Sequence, residues 1–214
     1  MVSPWENGSS QLDVVAMKLL ILCLTLLLPS WAVAQDIPRV CREAEALSTA
    51  PDGDPAEELR LYEQCLDQNP APRVRASALF NMGVTYQDLG QWRQALDRYA
   101  SAVRVNPGDY QSYSNMAWIL ATCVDDSVRD GKRALEFSRK ACSLSADLGT
   151  LDTHAAALAR NGRFDEAASL ERQLIEQARK IEGFPAELTA EMEHRLALYA
   201  SGAPYTEATR STTY

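Results

Sequence analysis

Histidine is almost absent: the 214 residues hold two, His154 and His194. No H-E-x-x-H or C-x-x-C spacing occurs, which excludes the common zinc-hydrolase and dithiol-redox arrangements. Basic residues are outnumbered, 21 Lys plus Arg against 29 Asp plus Glu, for a net charge of −8. No basic cluster is long enough to follow a phosphate backbone, so nucleic acid is not an expected partner. Long apolar runs are scarce too. The one over residues 19–28 is too short to cross a bilayer comfortably. The acids Asp52, Asp54, Glu57 and Glu58 lack the spacing of an EF-hand loop. Their place at a helix start suits the positive end of the helix dipole. A Cys123–His154 nucleophile pair has no feature that would supply its proton-accepting geometry. The chain therefore reads as no enzyme, with no catalytic residue, no metal and no cofactor.

What is present begins with an address. Lys18 precedes the apolar run, and Pro29, Ser30 and Trp31 lead to Ala32-Val33-Ala34. A basic start, a short apolar stretch and an A-x-A site read as a cleavable signal peptide, with the mature chain starting near Gln35. Residues 1–16 are polar and contain no basic residue, so Met17 is the better start and Met1 an upstream mis-assignment. Export to the periplasm or beyond is the expectation, with no membrane span after processing. Cleavage removes Cys23 and leaves Cys41, Cys65, Cys123 and Cys142, enough for two disulfides in three connectivities.

The rest of the chain is organised around residues 76–107, ASALFNMGVTYQDLGQWRQALDRYASAVRVNP. At helical period this is two helices and a turn. Gly83, Ala95 and Ala102 sit where the two would touch. Leu79, Met82, Tyr86, Leu89, Leu96, Tyr99 and Val103 flank them, Gly90 breaks the helices and Pro107 ends the unit. A degenerate hairpin precedes it over residues 35–75. Its second helix opens at Asp54-Pro55, with Glu57 as a capping-box-like acid, and residues 71–75 follow as a loop. Further hairpins cover residues 110–147, with a long insertion at 122–131, and residues 148–182, with their turn at Asn161-Gly162. Residues 183–214 hold a last helix, with Leu188, Met192, Leu196 and Tyr199 on its apolar face, and a tail expected to be disordered beyond Tyr205.

The unit at 76–109 resembles the tetratricopeptide repeat, a helix-turn-helix of about 34 residues. The strings NMAWILATCVDD, RDGKRALEFSRKACSLS, LDTHAAALARNGRFDEA and HRLALYASGAPY resemble the C-terminal array of exported bacterial proteins of this kind. His154 departs from that array, which usually has an apolar residue there. The resemblance implies an all-α, right-handed solenoid of helical hairpins closed by a capping helix. It implies a protein- or peptide-binding scaffold. Lysine and asparagine clamp a chaperone terminus on the inner wall of some cytosolic relatives. Phe80 and Val84 stand there instead.

Two site readings follow. Trp118 is one residue past Ala117, and one residue turns a side chain by about 100° onto the concave wall. Phe80 and Val84 are placed there in the preceding repeat. With Ser77, Gln87, Gln111 and Ser114 they make a groove with an apolar floor and an amide rim for a partner segment; the alternative is that Phe80 and Trp118 only pack against each other or against the N-terminal hairpin. A self-assembling or envelope-complex subunit, using the convex face or the 122–131 loop, is the second functional reading, with homo-oligomerisation left open. The other site is a disulfide. Cys41 and Cys65 lie at depths differing by about 4–5 Å in the first hairpin, whereas Cys123 and Cys142 lie about 15 Å apart along their helices. The first hairpin also resembles those of exported repeat proteins with a cysteine in each helix. Two packed thiols are the alternative.

Overall fold

The computed structural model describes residues 37–207, and the signal segment, its cleavage site and the end of the tail lie outside these described residues. Nine helices and no strand occur among them. They are α1 (Arg39–Ser48), α2 (Pro55–Asp67), α3 (Pro72–Asp88), α4 (Trp92–Val105), α5 (Tyr110–Thr122), α6 (Gly131–Leu144), α7 (Leu148–Arg160), α8 (Phe164–Ala178) and α9 (Ala186–Ala200). Consecutive helices pack as hairpins, α1 with α2 through α7 with α8. Each hairpin leans on the next, and α9 closes the stack against α8. The chain is an all-α helical-repeat solenoid, as the sequence pattern predicts.

Local chemistry sets the helix starts. The side chains of Asp54, Asp109, Asp130 and Asp147 accept from Ala56, Ser112, Arg133 and Thr150 backbone N–H groups, so each stands as an N-cap. Glu57 does not reach back to complete a capping box. It pairs with Arg60 instead, at 2.5–2.6 Å. The expected loop at 71–75 is helix: Ala71 is the N-cap of α3 and Pro72 its first residue. Proline is favoured at that position because its missing N–H would have no partner there.

Small residues let the hairpins close. Ala95, Ala102, Ala134, Ala141, Ala155 and Ala167 are fully buried. At Gly83 the approach is closest: a Cβ there would lie 2.5 Å from Tyr99 Cε1. The hairpins are also joined by buried polar links. Tyr62 Oη accepts from Asn81 Nδ2 at 2.7 Å, and Tyr99 Oη accepts from Asn115 Nδ2 at 3.0 Å. In the next interface Ser138 Oγ and His154 Nδ1 meet at 2.9 Å. Ser138 occupies the position on α6 that Tyr99 holds on α4. There the small residue is on the first helix and the large one on the second, which accounts for His154 where an apolar residue is usual. Burial lowers the pKa of His154, helped by Arg139 and Arg163, so the ring is neutral near pH 7.

The Cys41–Cys65 disulfide is formed, joining α1 to α2 with Cα atoms 4.9 Å apart. Cys123 and Cys142 are free thiols, as their different depths predict. The insertion at 122–131 is folded down. Cys123 and Val128 are buried, Asp130 N–H donates to Leu120 O, and Arg129 Nη1 donates to Cys123 O at 2.6 Å. Leu188, expected on the apolar face of α9, is 46% exposed. It lies one turn before the stripe of Met192, Leu196 and Tyr199 meets α8.

Candidate functional site

The expected groove on the first helices of the hairpins splits into two parts. Around α3 it is open. Phe80 is half-buried, with its ring 5.8 Å from that of Tyr99. It lies between two depressions. One is bordered by Arg73, Ser77, Asn106, Asp109 and Gln111, the other by Ser48, Pro55, Glu58, Val84 and Leu89. Ser77 and Gln111 are exposed at this edge. Gln87 is not part of a free rim, because its Oε1 accepts from the Tyr99 hydroxyl at 3.0 Å. Ser114 is also engaged, donating to Thr153 Oγ1 at 3.1 Å and so linking α5 to α7.

The second part, on α5 and α7, is covered by the chain itself. Gly202, at φ +77°, takes the left-handed conformation that ends α9 and turns the backbone back. Ala203 N–H donates to Leu198 O at 2.9 Å in that turn. Residues 203–207 then run as an extended strap along the wall. The Tyr205 ring lies 5.9 Å from the Trp118 ring. Trp118 Nε1 donates to Glu207 Oε2 at 2.9 Å, and Glu207 N–H donates to Thr122 O at 2.8 Å. Arg160 bridges wall and strap: its Nε donates to Ala121 O at 2.5 Å and its Nη2 to Tyr205 O at 2.6 Å. Trp118 thus packs on Tyr205, not on Phe80. The strap runs on through Thr206 and Glu207, two residues past the limit expected from the sequence, and residues 208–214 lie outside the described residues.

Under the strap lies a buried ionic cluster. Arg195 of α9 is 5% exposed and forks onto Asp152 of α7, with Nε to Oδ1 at 3.1 Å and Nη2 to Oδ2 at 2.9 Å. Its guanidinium carbon sits 5.6 Å from the Trp118 centroid and 5.8 Å from that of Tyr205. Glu171 of α8 is fully buried, with Oε1 3.5 Å from Arg195 Nε and no aligned hydrogen bond to either oxygen. Burial, and then the Asp152 charge, push the Glu171 carboxyl up to about 9. Asp152 takes both Arg195 bonds, so the proton of this acidic pair resides on Glu171. Sequence reading missed Arg160, Arg195, Tyr205 and Glu207. The one available signal was Arg195 itself, a cation inside the apolar stripe of Met192, Leu196 and Tyr199.

Comparison with known proteins fits this architecture. Residues 78–109 match the family model described as a tetratricopeptide repeat, the unit formed by α3 and α4. The chain carries a tetratricopeptide repeat. Among curated relatives, this repeat protein is similar to photosystem I assembly protein Ycf3 of Cuscuta obtusiflora. The two are 28% identical over 127 residues, covering 52% of this chain and 76% of the relative. Ycf3 of Synechococcus sp. (strain CC9902) is 33% identical over 76 residues, covering 36% of this chain and 44% of that one. Among solved structures, a MamA RS-1 ArsTM double mutant aligns with a TM-score of 0.56 at 12% identity, covering 77% of this chain and 97% of that chain. That likeness concerns the fold alone.

No group of three or more His, Cys, Asp or Glu among the described residues could hold a metal ion. Burial raises the pKa of the Cys123 thiol, which keeps it protonated and poorly nucleophilic. His154 is turned to Ser138. No helix among the described residues is long and apolar enough to cross a membrane.

Proposed function

We propose that this repeat protein is a protein-interaction scaffold of the exported compartment that docks a partner segment along its concave wall. The observation that carries the reading is the wall itself. At its α3 end Phe80 and Val84 are half-buried beside two open depressions, with Ser77 and Gln111 exposed at the edge. A groove of this kind takes an extended or helical segment, with the large apolar side chains as anchors. The name of the Ycf3 relatives, photosystem I assembly proteins, supports a role in bringing proteins together. Two features support export: the signal-like residues 18–34, and the Cys41–Cys65 disulfide, a bond that persists in oxidising compartments.

A photo-crosslinking amino acid at Gln111, in the full chain expressed in its host, tests the docking face. The expected result is an adduct with a partner from the exported fraction that is lost with Phe80→Ala. Adducts that form only from the exposed convex position Arg104 would place the contact surface elsewhere. The address is tested separately by the N-terminus of the exported pool, expected at Gln35; retention of Met1 or Met17 there would overturn it.

A further inference from the structure

The geometry points to a second, more selective site on the same wall: the α5–α7 surface recognises an extended segment carrying an aromatic ring and, two residues later, a carboxylate, and residues 203–207 occupy it as a displaceable internal ligand. This deepens the scaffold reading and rests on it. The strap is held as a bound peptide would be held. Its backbone is recognised at Tyr205 O by Arg160 and at the Glu207 N–H by Thr122 O. Its ring lies against Trp118 with the Arg195 guanidinium close to both rings. Its carboxylate takes the indole N–H of Trp118. Backbone contacts give hold, and the ring and carboxylate two residues apart give selectivity.

The receptor half of this site is built without the strap. Arg160 is anchored on Ala121 O, and Arg195 is fixed by its fork to Asp152. Pre-set donors of this kind need little reordering to accept another segment of like chemistry. The strap half is slight. Thr206, Ser201 and Gly202 are exposed, and Ala203, Pro204, Tyr205 and Glu207 are only half-buried. The tether adds to these contacts: a segment joined to α9 by a single turn is at high effective concentration beside the wall. A partner must overcome that, so its apparent affinity is divided by the fraction of molecules with the strap lifted.

The test uses the full chain and a fluorescein-labelled peptide with the sequence of residues 203–207. The Tyr205→Ala/Glu207→Ala variant should bind the peptide at least tenfold more tightly than the unaltered chain, which corresponds to a strap closed in about nine molecules of ten. Binding to that variant should be lost when Trp118→Ala is added, or when the peptide's terminal Glu is replaced by Gln. In the unaltered chain, millimolar peptide should displace the strap and bring the Glu207 amide to a sharp, solvent-exchanging NMR resonance. That measurement does not depend on how the variants fold. Equal affinity for both chains would overturn self-occupancy, and no binding to the double variant at millimolar peptide would overturn the recognition site. Both results concern α5 and α7 alone, whereas the Gln111 crosslink reports on the open end, so the two failures are distinguishable.

Discussion

Gly83 is the residue on which the central hairpin closes. A methyl group there would meet the Tyr99 ring at 2.5 Å. The ring has no room to retreat, being fully buried with its hydroxyl held by Gln87 and Asn115. Gly83→Ala gains helix propensity of under about 1 kcal/mol. Overpacking of this kind costs about 1–3 kcal/mol, so the net expectation is a loss. Urea unfolding measures it, and a variant as stable as the parent would show that α3 and α4 separate freely. Glu171 permits a prediction of opposite origin. A glutamate in the unfolded chain ionises near 4.5, while in the native state burial and Asp152 keep this one protonated up to about 9. Between those values the unfolded chain binds fewer protons, so this group makes stability fall as pH rises through the window. Glu171→Gln keeps the shape without the titration. The drop in unfolding free energy from pH 5 to pH 8.5 should be smaller in the variant, and parallel pH profiles would mean that Glu171 is ionised in the fold. Nothing in the sequence points to this, because a glutamate in an otherwise amphipathic helix reads as a solvated charge until its neighbours are placed.

Helices and their pairing were legible because two independent signals agree. Apolar spacing near 3.6 marks the buried stripe, and Asp54-Pro55, Gly90 and Asn161-Gly162 mark a start and two breaks. Where the signals are mixed the reading slipped. Asn69-Pro70 and Pro72 look alike as breakers, yet Pro72 opens α3 and only the first pair ends α2. The first hairpin is the weakest element by pattern, and the disulfide offsets this. Its sequence separation of 24 is long enough for the cross-link to remove considerable freedom from the unfolded chain. Opening it should cost about 2–4 kcal/mol. The loss should be local, since each hairpin contacts mainly its neighbours. Hydrogen exchange after reduction should therefore rise in α1 and α2 and stay unchanged in α7 and α8. Uniform loss of protection would argue for a single cooperative unit. Thiol counting on denatured, unreduced mature protein should find two reactive thiols, those of Cys123 and Cys142.

At the scale of the whole molecule the strap departs from a simple stack. Repeat arrays hold together through nearest-neighbour contacts, but residues 203–207 leave α9 and fasten onto α5 and α7, up to 89 positions back along the chain. That distance is why half of the candidate site was not legible. The placing of Trp118 on the inner wall follows from helical period. Its cover does not, because the strap has no periodicity and its partners Trp118, Arg160 and Arg195 are scattered over three helices. The consequence is a C-terminal half tied together by Arg160, which donates to α5 and to the strap from the end of α7. Arg160→Ala removes that tie while leaving the Arg195 fork to Asp152 in place. Two carbonyls, Ala121 O and Tyr205 O, would lose a charged donor, at about 1.5–3 kcal/mol for each such bond before water compensates. The expected outcome is faster exchange at Glu207 and in α9, with Trp118 emission shifted to longer wavelength as its indole meets water. Protection in α1 to α4 should stay at parental values. Unchanged exchange at Glu207 would show that Trp118 and Thr122 hold the strap without Arg160, and faster exchange reaching α1 would show coupling beyond nearest neighbours.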